Sequence, residues 1–124
     1  MQAIDVIYNR YGYPELRLLQ NGRLVTFGGK SAGFIKNQGV YDYNGRHLGW
    51  YENGVLRDHW GNVVGFGEHP TDYPSPIFPI KAIKPIPAIT EIERIRPITQ
   101  IPPIKSIKSF NWSRFTPISL MFGK

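Results

Sequence analysis

The chain has 124 residues, of which 41% are hydrophobic and 19% are charged, so it fits a folded domain better than a disordered polymer. It contains no run of about 18 apolar residues, which excludes a membrane-spanning helix by sequence. The N-terminal stretch MQAIDVIYNRYG lacks the basic and apolar regions of a secretory signal, and there is no cysteine for a disulfide or a thiolate metal site. We therefore expect a cytoplasmic protein.

The first half of the chain contains four related units. Each unit has a turn-forming residue three positions before a glycine, at Asn9, Thr26, Asp42 and Asp58, with spacings of 17, 16 and 16 residues. In three units a second glycine with an aromatic residue behind it follows four residues after the first. These pairs are Gly33-Phe34, Gly49-Trp50 and Gly65-Phe66.

Each unit predicts one β-hairpin. An Asp, Asn or Thr side chain can bond the backbone two residues on, and the glycine supplies the positive φ that closes the turn. A second family of tight turns, QNG, NQG and ENG, separates the units. We therefore predict an all-β domain over residues 1–69, in which four repeated hairpins share a core in a compact pseudo-four-fold arrangement.

The hairpin units carry a resemblance to a known family. The stretch VYDYNGRHLGWYENGVLRDHWGNVVGF (40–66), the two units before it, the Pro/Ile-rich linker and the tail NWSRFTPISLMFGK together resemble the 4-fold beta flower family. The resemblance covers about residues 4–67 and extends loosely over the tail. It implies a fold of four similar hairpins, with no established activity and no catalytic residues to transfer.

Residues 70–109 form an extended Ile/Pro-rich segment, a rod or a low-complexity linker, in which an isoleucine occupies every third position from Ile77 to Ile107. This period fits neither a helix nor a half-buried strand. Polyproline II has three residues per turn, so this segment is predicted to be an extended rod with one apolar edge. Prolines and charged residues never occupy the isoleucine position. The apolar edge consists of Ile77, Ile80, Ile83, Ile86, Ile89, Ile92, Ile95, Ile98, Ile101, Ile104 and Ile107.

Such an edge needs a surface that covers it, because burying each isoleucine stabilises by about 1.5–3 kcal/mol. Three parallel rods could turn their isoleucines towards a common axis, which makes a homotrimer plausible. Alternatively, the rod could lie in an apolar groove of its own domain, of a neighbouring protomer or of another protein. Residues 110–124 form a third segment, a hydrophobic tail predicted to dock on a partner or on its own domain. Its predicted contacts are Trp112, Phe115, Leu120, Met121 and Phe122.

The basic excess of the chain lies in its second half. Residues 1–69 hold seven Lys/Arg and six Asp/Glu, whereas residues 70–124 hold eight and three. This excess could attract nucleic acid. It could equally serve only to keep an isoleucine-rich segment soluble.

No residue pattern predicts catalysis, a cofactor or a metal. The three histidines, His47, His59 and His69, lack metal-site spacing and are interpreted as surface or turn residues. The sequence favours a non-enzymatic protein-interaction or assembly module that oligomerises through the isoleucine edge. The alternative is a small carbohydrate- or nucleic-acid-binding protein that uses aromatic residues and nearby arginines. Its ligand surface would consist of Tyr41, Tyr43, Arg46, Trp50, Arg57 and Trp60.

Overall fold

The computed structural model describes residues 3–123 of the chain. Its regular elements are eight short strands followed by one short helix. In chain order they are β1 (Ala3–Tyr8), β2 (Pro14–Leu19), β3 (Arg23–Thr26), β4 (Ser31–Lys36), β5 (Gly39–Tyr41), β6 (His47–Glu52), β7 (Val55–Arg57), β8 (Val63–Phe66) and α1 (Pro117–Phe122). Between β8 and α1 the described chain has no helix or strand, apart from a single bridge between Val63 and Trp112.

Each strand pairs antiparallel with its neighbours in sequence, and β8 returns to β1, so the sheet closes into a barrel. The closing pair is Tyr8 opposite Phe66, whose rings stack with their centroids 5.6 Å apart. Closure satisfies the backbone groups that an open sheet would leave at its edges. The all-β fold of four repeated hairpins that the sequence predicts is confirmed.

The four turns within the hairpins, which we call the tip turns, have the predicted chemistry. In the third tip turn the Asp42 carboxylate accepts hydrogen bonds from the backbone N–H groups of Asn44 and Arg46, at 2.9 and 3.0 Å. Gly45 then closes the turn with a φ of 81°, which other residues rarely adopt. The same side-chain contacts recur in the first and fourth tip turns, at Asn9 and Asp58.

Equivalent positions of the four hairpins fill the barrel interior. The first strand of each hairpin contributes one fully buried aliphatic side chain to a shared core. These side chains are Ile7, Leu24, Val40 and Leu56. Helix α1 packs against β2, β4 and β8 and adds Leu120 and Met121 to the same core. The C-terminal tail thus returns to its own barrel, which is one of the two alternatives left open by the sequence.

Small residues let adjacent hairpins approach each other. A Cβ added at Gly49 would fall well inside 3.0 Å of the Arg57 carbonyl oxygen, a separation that real Cβ atoms essentially never show. The aromatic residue that follows such a glycine then packs across the junction. Phe34, for example, stacks on Tyr41 with ring centroids 5.7 Å apart. The glycine–aromatic pairs of the sequence are therefore the junctions between hairpins.

Candidate interaction surface

The period-three segment wraps around the outside of the barrel, and we call residues 77–109 the girdle. Its backbone bonds to the four hairpins in chain order, at points nine residues apart. In each case a girdle N–H donates to the carbonyl oxygen of a tip-turn glycine, over 2.8 to 3.1 Å. The pairs are Ala82 with Gly12, Glu91 with Gly29, Gln100 with Gly45, and Ser109 with Gly61. Three isoleucine triplets therefore span each hairpin.

The residues just before the girdle and the end of the girdle meet at the fourth hairpin, where Arg57 binds both. Arg57 is 3% exposed, and its side chain forms a buried ion pair with Asp72, Nε to Oδ2 at 3.1 Å. The same guanidinium donates to the carbonyl oxygens of Pro74, just before the girdle, and of Ser109, at its end. Because the segment leaves and returns at one side chain after passing all four hairpins, it encircles the barrel.

The isoleucine side chains of the girdle point away from the barrel. All eleven are between 92% and 97% exposed, and together they form what we call the isoleucine belt. Of the surfaces that the sequence left open as cover for this edge, a groove of the chain's own domain is contradicted, because the girdle binds the barrel through its backbone and through its two other edges. Cover by further copies of the chain or by another protein stays a prediction.

The tip-turn glycines explain why the isoleucines face outward. A Cβ added at Gly45 would collide with the carbonyl oxygen of Ile98, and the other three tip-turn glycines stand in the same relation to girdle carbonyls. The isoleucine carbonyls thus fill the space that these glycines leave empty. Since the carbonyl groups point inward at these positions, the side chains of the same residues are turned to solvent.

The basic residues of the girdle are mostly engaged by the protein itself. Lys84 pairs with Glu68, and Lys105 pairs with Glu52 on the barrel. Lys81 donates to a backbone carbonyl at 2.9 Å. Further ion pairs join Arg96 to Glu93 and Lys108 to Asp72, and Arg94 lies over the Tyr43 ring. Four of the six basic side chains of the girdle therefore pair with carboxylates of the same chain, although the chain keeps its net charge of +6.

The titration of two acids reflects this pairing. Burial alone would raise the pKa of Asp72, but hydrogen bonds from Lys108 and Arg57 outweigh it and the pKa lies below its ordinary value. Burial also opposes ionisation of Glu93, and hydrogen bonds from Arg96 and Tyr43 again bring its pKa below the ordinary value. Both carboxylates therefore remain charged at neutral pH and hold the girdle cations.

The predicted docking residues of the tail lie on this chain's own barrel. Leu120 and Met121 are 7% and 4% exposed and belong to the core, so they can reach a partner only if α1 leaves the barrel. Phe115 and Phe122 are half-buried against that core. Trp112 packs edge-on against Phe66 at the barrel wall, with ring centroids 6.4 Å apart.

The predicted alternative ligand surface is not brought together as an open site. Tyr41, Trp50 and Arg57 are buried, at 3%, 7% and 3% exposure, and Arg57 is occupied by the girdle. Tyr43 is half-buried and bonds Glu93, and burial, more than this bond, raises the pKa of Tyr43 to about 12. The two remaining members, Arg46 and Trp60, are exposed. Carbohydrate or nucleic-acid binding stays a prediction, and these six residues do not form one open surface.

The histidines differ from their interpretation as surface or turn residues in one respect. His69 is exposed and His59 is half-buried in the fourth tip turn. His47, however, begins β6 and is only 3% exposed, so its placement at the surface is wrong. The two rings hydrogen-bond through His47 Nδ1 and His59 Nε2 at 2.9 Å. Sequence reasoning missed this pair because the two residues are 12 positions apart and meet only when the third and fourth hairpins pack side by side.

Two features are absent from residues 3–123, the part of the chain that the structure describes. No helix in this part of the chain is long and apolar enough to cross a membrane. The same residues include no group of three or more His, Cys, Asp or Glu side chains placed to hold a metal ion.

Comparison with known proteins identifies a family over nearly the whole chain. No curated protein and no solved structure matches. The family model described as "4-fold beta flower protein" matches residues 5–120, so it includes the girdle and most of the tail as well as the four hairpins. The matched region corresponds to the barrel, the segment that encircles it and the helix that completes its core. The chain belongs to the 4-fold beta flower family.

Proposed function

We propose that this protein is a non-enzymatic assembly module that associates with further copies of itself through the isoleucine belt. The observation that supports this most strongly is the outward, uniform exposure of eleven isoleucines on a segment bound to all four hairpins. Monomeric proteins rarely expose contiguous apolar patches beyond about 300–600 Å². A partner that covers the belt would remove this exposure.

The charge distribution favours an apolar partner over nucleic acid. The lysines and arginines that interrupt the belt are mostly bound to carboxylates or to a backbone carbonyl of the same chain. Nucleic-acid binding draws its affinity from cations that are free to contact phosphates. A second belt, equally apolar and equally short of free charge, is the better match.

The size of the belt favours an assembly larger than a dimer. Each hairpin presents about three isoleucines, so two barrels lying side by side cover roughly six, which contributes about 9–18 kcal/mol at 1.5–3 kcal/mol each. Association costs about 4–15 kcal/mol in lost freedom of motion. One side contact is therefore marginal, whereas contacts on several of the four sides together are favourable.

The geometry of the proposed assembly differs from a stalk of three rods. A stalk would require the girdle to leave the barrel and to break its bonds to the tip turns and to Arg57. Barrels that meet side by side keep those bonds. We include in the proposal a polyproline II conformation of the girdle, supported by the exposure of every third residue along it.

The test is the molar mass in solution, measured by light scattering across a range of protein concentrations. The variant replaces Ile95, Ile98 and Ile101 by serine, which removes the belt from one side of the barrel. The matched control replaces Ile4 and Ile118, exposed isoleucines outside the girdle, at 62% and 38% exposure. We expect the wild type and the control to form the same assemblies and the belt variant to form smaller ones.

Because the belt side chains are almost fully exposed in the single chain, the serine variant should retain the fold, which circular dichroism checks. A wild type that stays monomeric at every concentration would refute the proposal. So would a belt variant whose mass distribution is unchanged.

A further inference from the structure

The two histidines at the junction of the third and fourth hairpins form an in-plane hydrogen bond. The rings of His47 and His59 are within 4° of parallel, their centroids are 5.1 Å apart, and Nδ1 of the first lies 2.9 Å from Nε2 of the second. Two bare nitrogens, or two N–H groups, would repel each other at this distance. Exactly one proton must therefore lie between the rings, so the pair cannot carry two imidazolium charges without separating.

Each histidine is also bonded to the girdle through its backbone. The N–H of His47 donates to the Gln100 side-chain oxygen at 2.9 Å. The Ser106 hydroxyl donates to the backbone carbonyl of His59. The pair thus lies beneath the girdle stretch from Gln100 to Ser106 and connects to both of its ends.

The surroundings of the pair offer little to stabilise a second charge. Tyr41 and Trp50 pack edge-on against the His47 ring, with centroids 5.2 and 4.7 Å away. Nε2 of His47 is buried and has no hydrogen-bond partner among the described residues. A proton added there would bring a positive charge into an aromatic enclosure, where charge is unfavourable without a partner.

The charged groups that line the adjacent cavity, of about 310 Å³, are already engaged. Asp42 is held by the Arg46 side chain at 2.9 Å and by two backbone N–H groups. Asp58 accepts from the Ser113 hydroxyl at 2.6 Å and from two backbone N–H groups of its own turn. Arg46 adds a positive charge to the same cavity. Neither carboxylate is free to pair with an imidazolium.

We propose that His47 and His59 form an acid-sensitive latch, which holds the girdle over the third and fourth hairpins and releases it when the second imidazole is protonated. The direction of the titration agrees with this geometry, since burial, and then the charge of His59, lower the pKa of His47 to about 4. Opening would free Gln100 and Ser106 and loosen the part of the belt that they hold. The link to assembly rests on the proposed function, whereas the latch itself does not.

Hydrogen exchange of single amides, followed by NMR on dilute protein between pH 7 and pH 4.5, tests the latch. The girdle provides its own matched probes. The amides of Gln100 and Ser109 bond the third and fourth tip turns, whereas those of Ala82 and Glu91 bond the first and second. After correction for the intrinsic pH dependence of exchange, we expect protection at the first two to fall about tenfold or more relative to the other two.

The variant H47N/H59Q replaces both rings by amides, which can hydrogen-bond in similar positions but do not titrate. It should abolish the difference between the two sets of amides. The control H69Q removes an exposed histidine outside the pair and should leave the difference unchanged. If the double variant does not fold, H47N alone, which removes the buried ring and keeps the half-buried His59, serves the same purpose.

Equal loss of protection at all four amides in the wild type would overturn the latch. A pH response that survives in the folded histidine variants would also overturn it. Because these measurements use dilute protein and single amides, they succeed or fail whether or not the belt drives assembly. A monomeric wild type with the predicted exchange pattern would refute the assembly and retain the latch.

Discussion

Replacement of Gly45 by alanine perturbs one contact between the girdle and a tip turn. Gly45 has a φ of 81°, and a Cβ added there would collide with the carbonyl oxygen of Ile98. The obstacle is backbone and not the end of a flexible side chain, so the girdle must move. The matched control is Gly123, which has a φ of 73° and no atom within 4 Å of an added Cβ.

The two substitutions share one cost and differ in the other. Placing alanine in the left-handed region costs about 1–2 kcal/mol, and both variants bear this cost. Alanine at position 45 must also displace the girdle, which as overpacking costs about 1–3 kcal/mol more. If the displacement breaks the 2.8 Å bond from the Gln100 N–H to the Gly45 carbonyl, another 1 kcal/mol or so is lost. We therefore expect the free energy of unfolding to fall by about 2–6 kcal/mol at Gly45 and about 1–2 kcal/mol at Gly123.

Urea denaturation followed by tryptophan fluorescence measures both values. Hydrogen exchange at Gln100 then reports whether the girdle has lifted from the third tip turn. Equal destabilisation of the two variants, to within about 0.5 kcal/mol, would mean that no girdle backbone presses on Gly45 in solution. The encircling arrangement would then be refuted at this hairpin.

Three further predictions test other parts of the structure. Arg57→Gln removes the buried partner of Asp72, which keeps Lys108, together with the donors to Pro74 and Ser109. It should lower the free energy of unfolding by about 3–5 kcal/mol, whereas Arg46→Gln, at a largely exposed side chain, should lower it by less than about 1 kcal/mol. Equal losses in denaturation would contradict the closure of the girdle at Arg57. Leu120→Ala should lower the free energy of unfolding by about 2–5 kcal/mol if α1 completes the core. A decrease below about 1 kcal/mol would mean that the helix lies outside the core. Because the pKa of His47 is about 4 in the folded chain and 6.5 when unfolded, the unfolded chain takes up the proton first as the pH falls. The contribution of His47 to the free energy of unfolding is therefore fully present above about pH 6.5 and declines by about 3 kcal/mol towards pH 4. In denaturation curves the variant His47→Asn should lose this part of the pH dependence. If the free energy of unfolding of the variant changes with pH as in the wild type, His47 is not the group responsible.

The hairpins could be predicted from the sequence because their determinants are local. A side chain such as Asp42 and a glycine three residues later define the turn within a few residues, and each unit repeats that information. Closure of the barrel could not be predicted in the same way. It depends on Tyr8 meeting Phe66 across most of the domain, and no local pattern distinguishes a closed ring of hairpins from an open one.

The buried histidine was missed for a similar reason. His47 occupies the second position after its tip-turn glycine, where the other hairpins have Pro14, Ser31 and Val63. A departure of this kind from an internal repeat is visible in the sequence. Its meaning depends on His59 of the next hairpin, and that neighbour is known only once the hairpins are arranged around the barrel.

The orientation of the girdle was predictable in part, from the prolines. Proline has no N–H to donate, so it is excluded from any position that bonds a tip turn. The third residues of the triplets include four prolines, yet none falls at the four positions nine residues apart that donate to the tip-turn glycines. These donor positions are 82, 91, 100 and 109. Four donors at a spacing of nine, beside four tip glycines at spacings of 16 or 17, indicate a strap bound through its backbone to a four-fold ring.

In that arrangement the donating edge must face the barrel. The isoleucine edge, which donates to none of the tip turns, is the one left for solvent or for a partner. Hydrophobicity alone predicts that the isoleucine edge is covered but not by which surface, because it weighs side chains and ignores the backbone groups that a strap without regular secondary structure must satisfy. The assembly proposed above would cover the eleven isoleucines at every third position, on the edge that the barrel does not use.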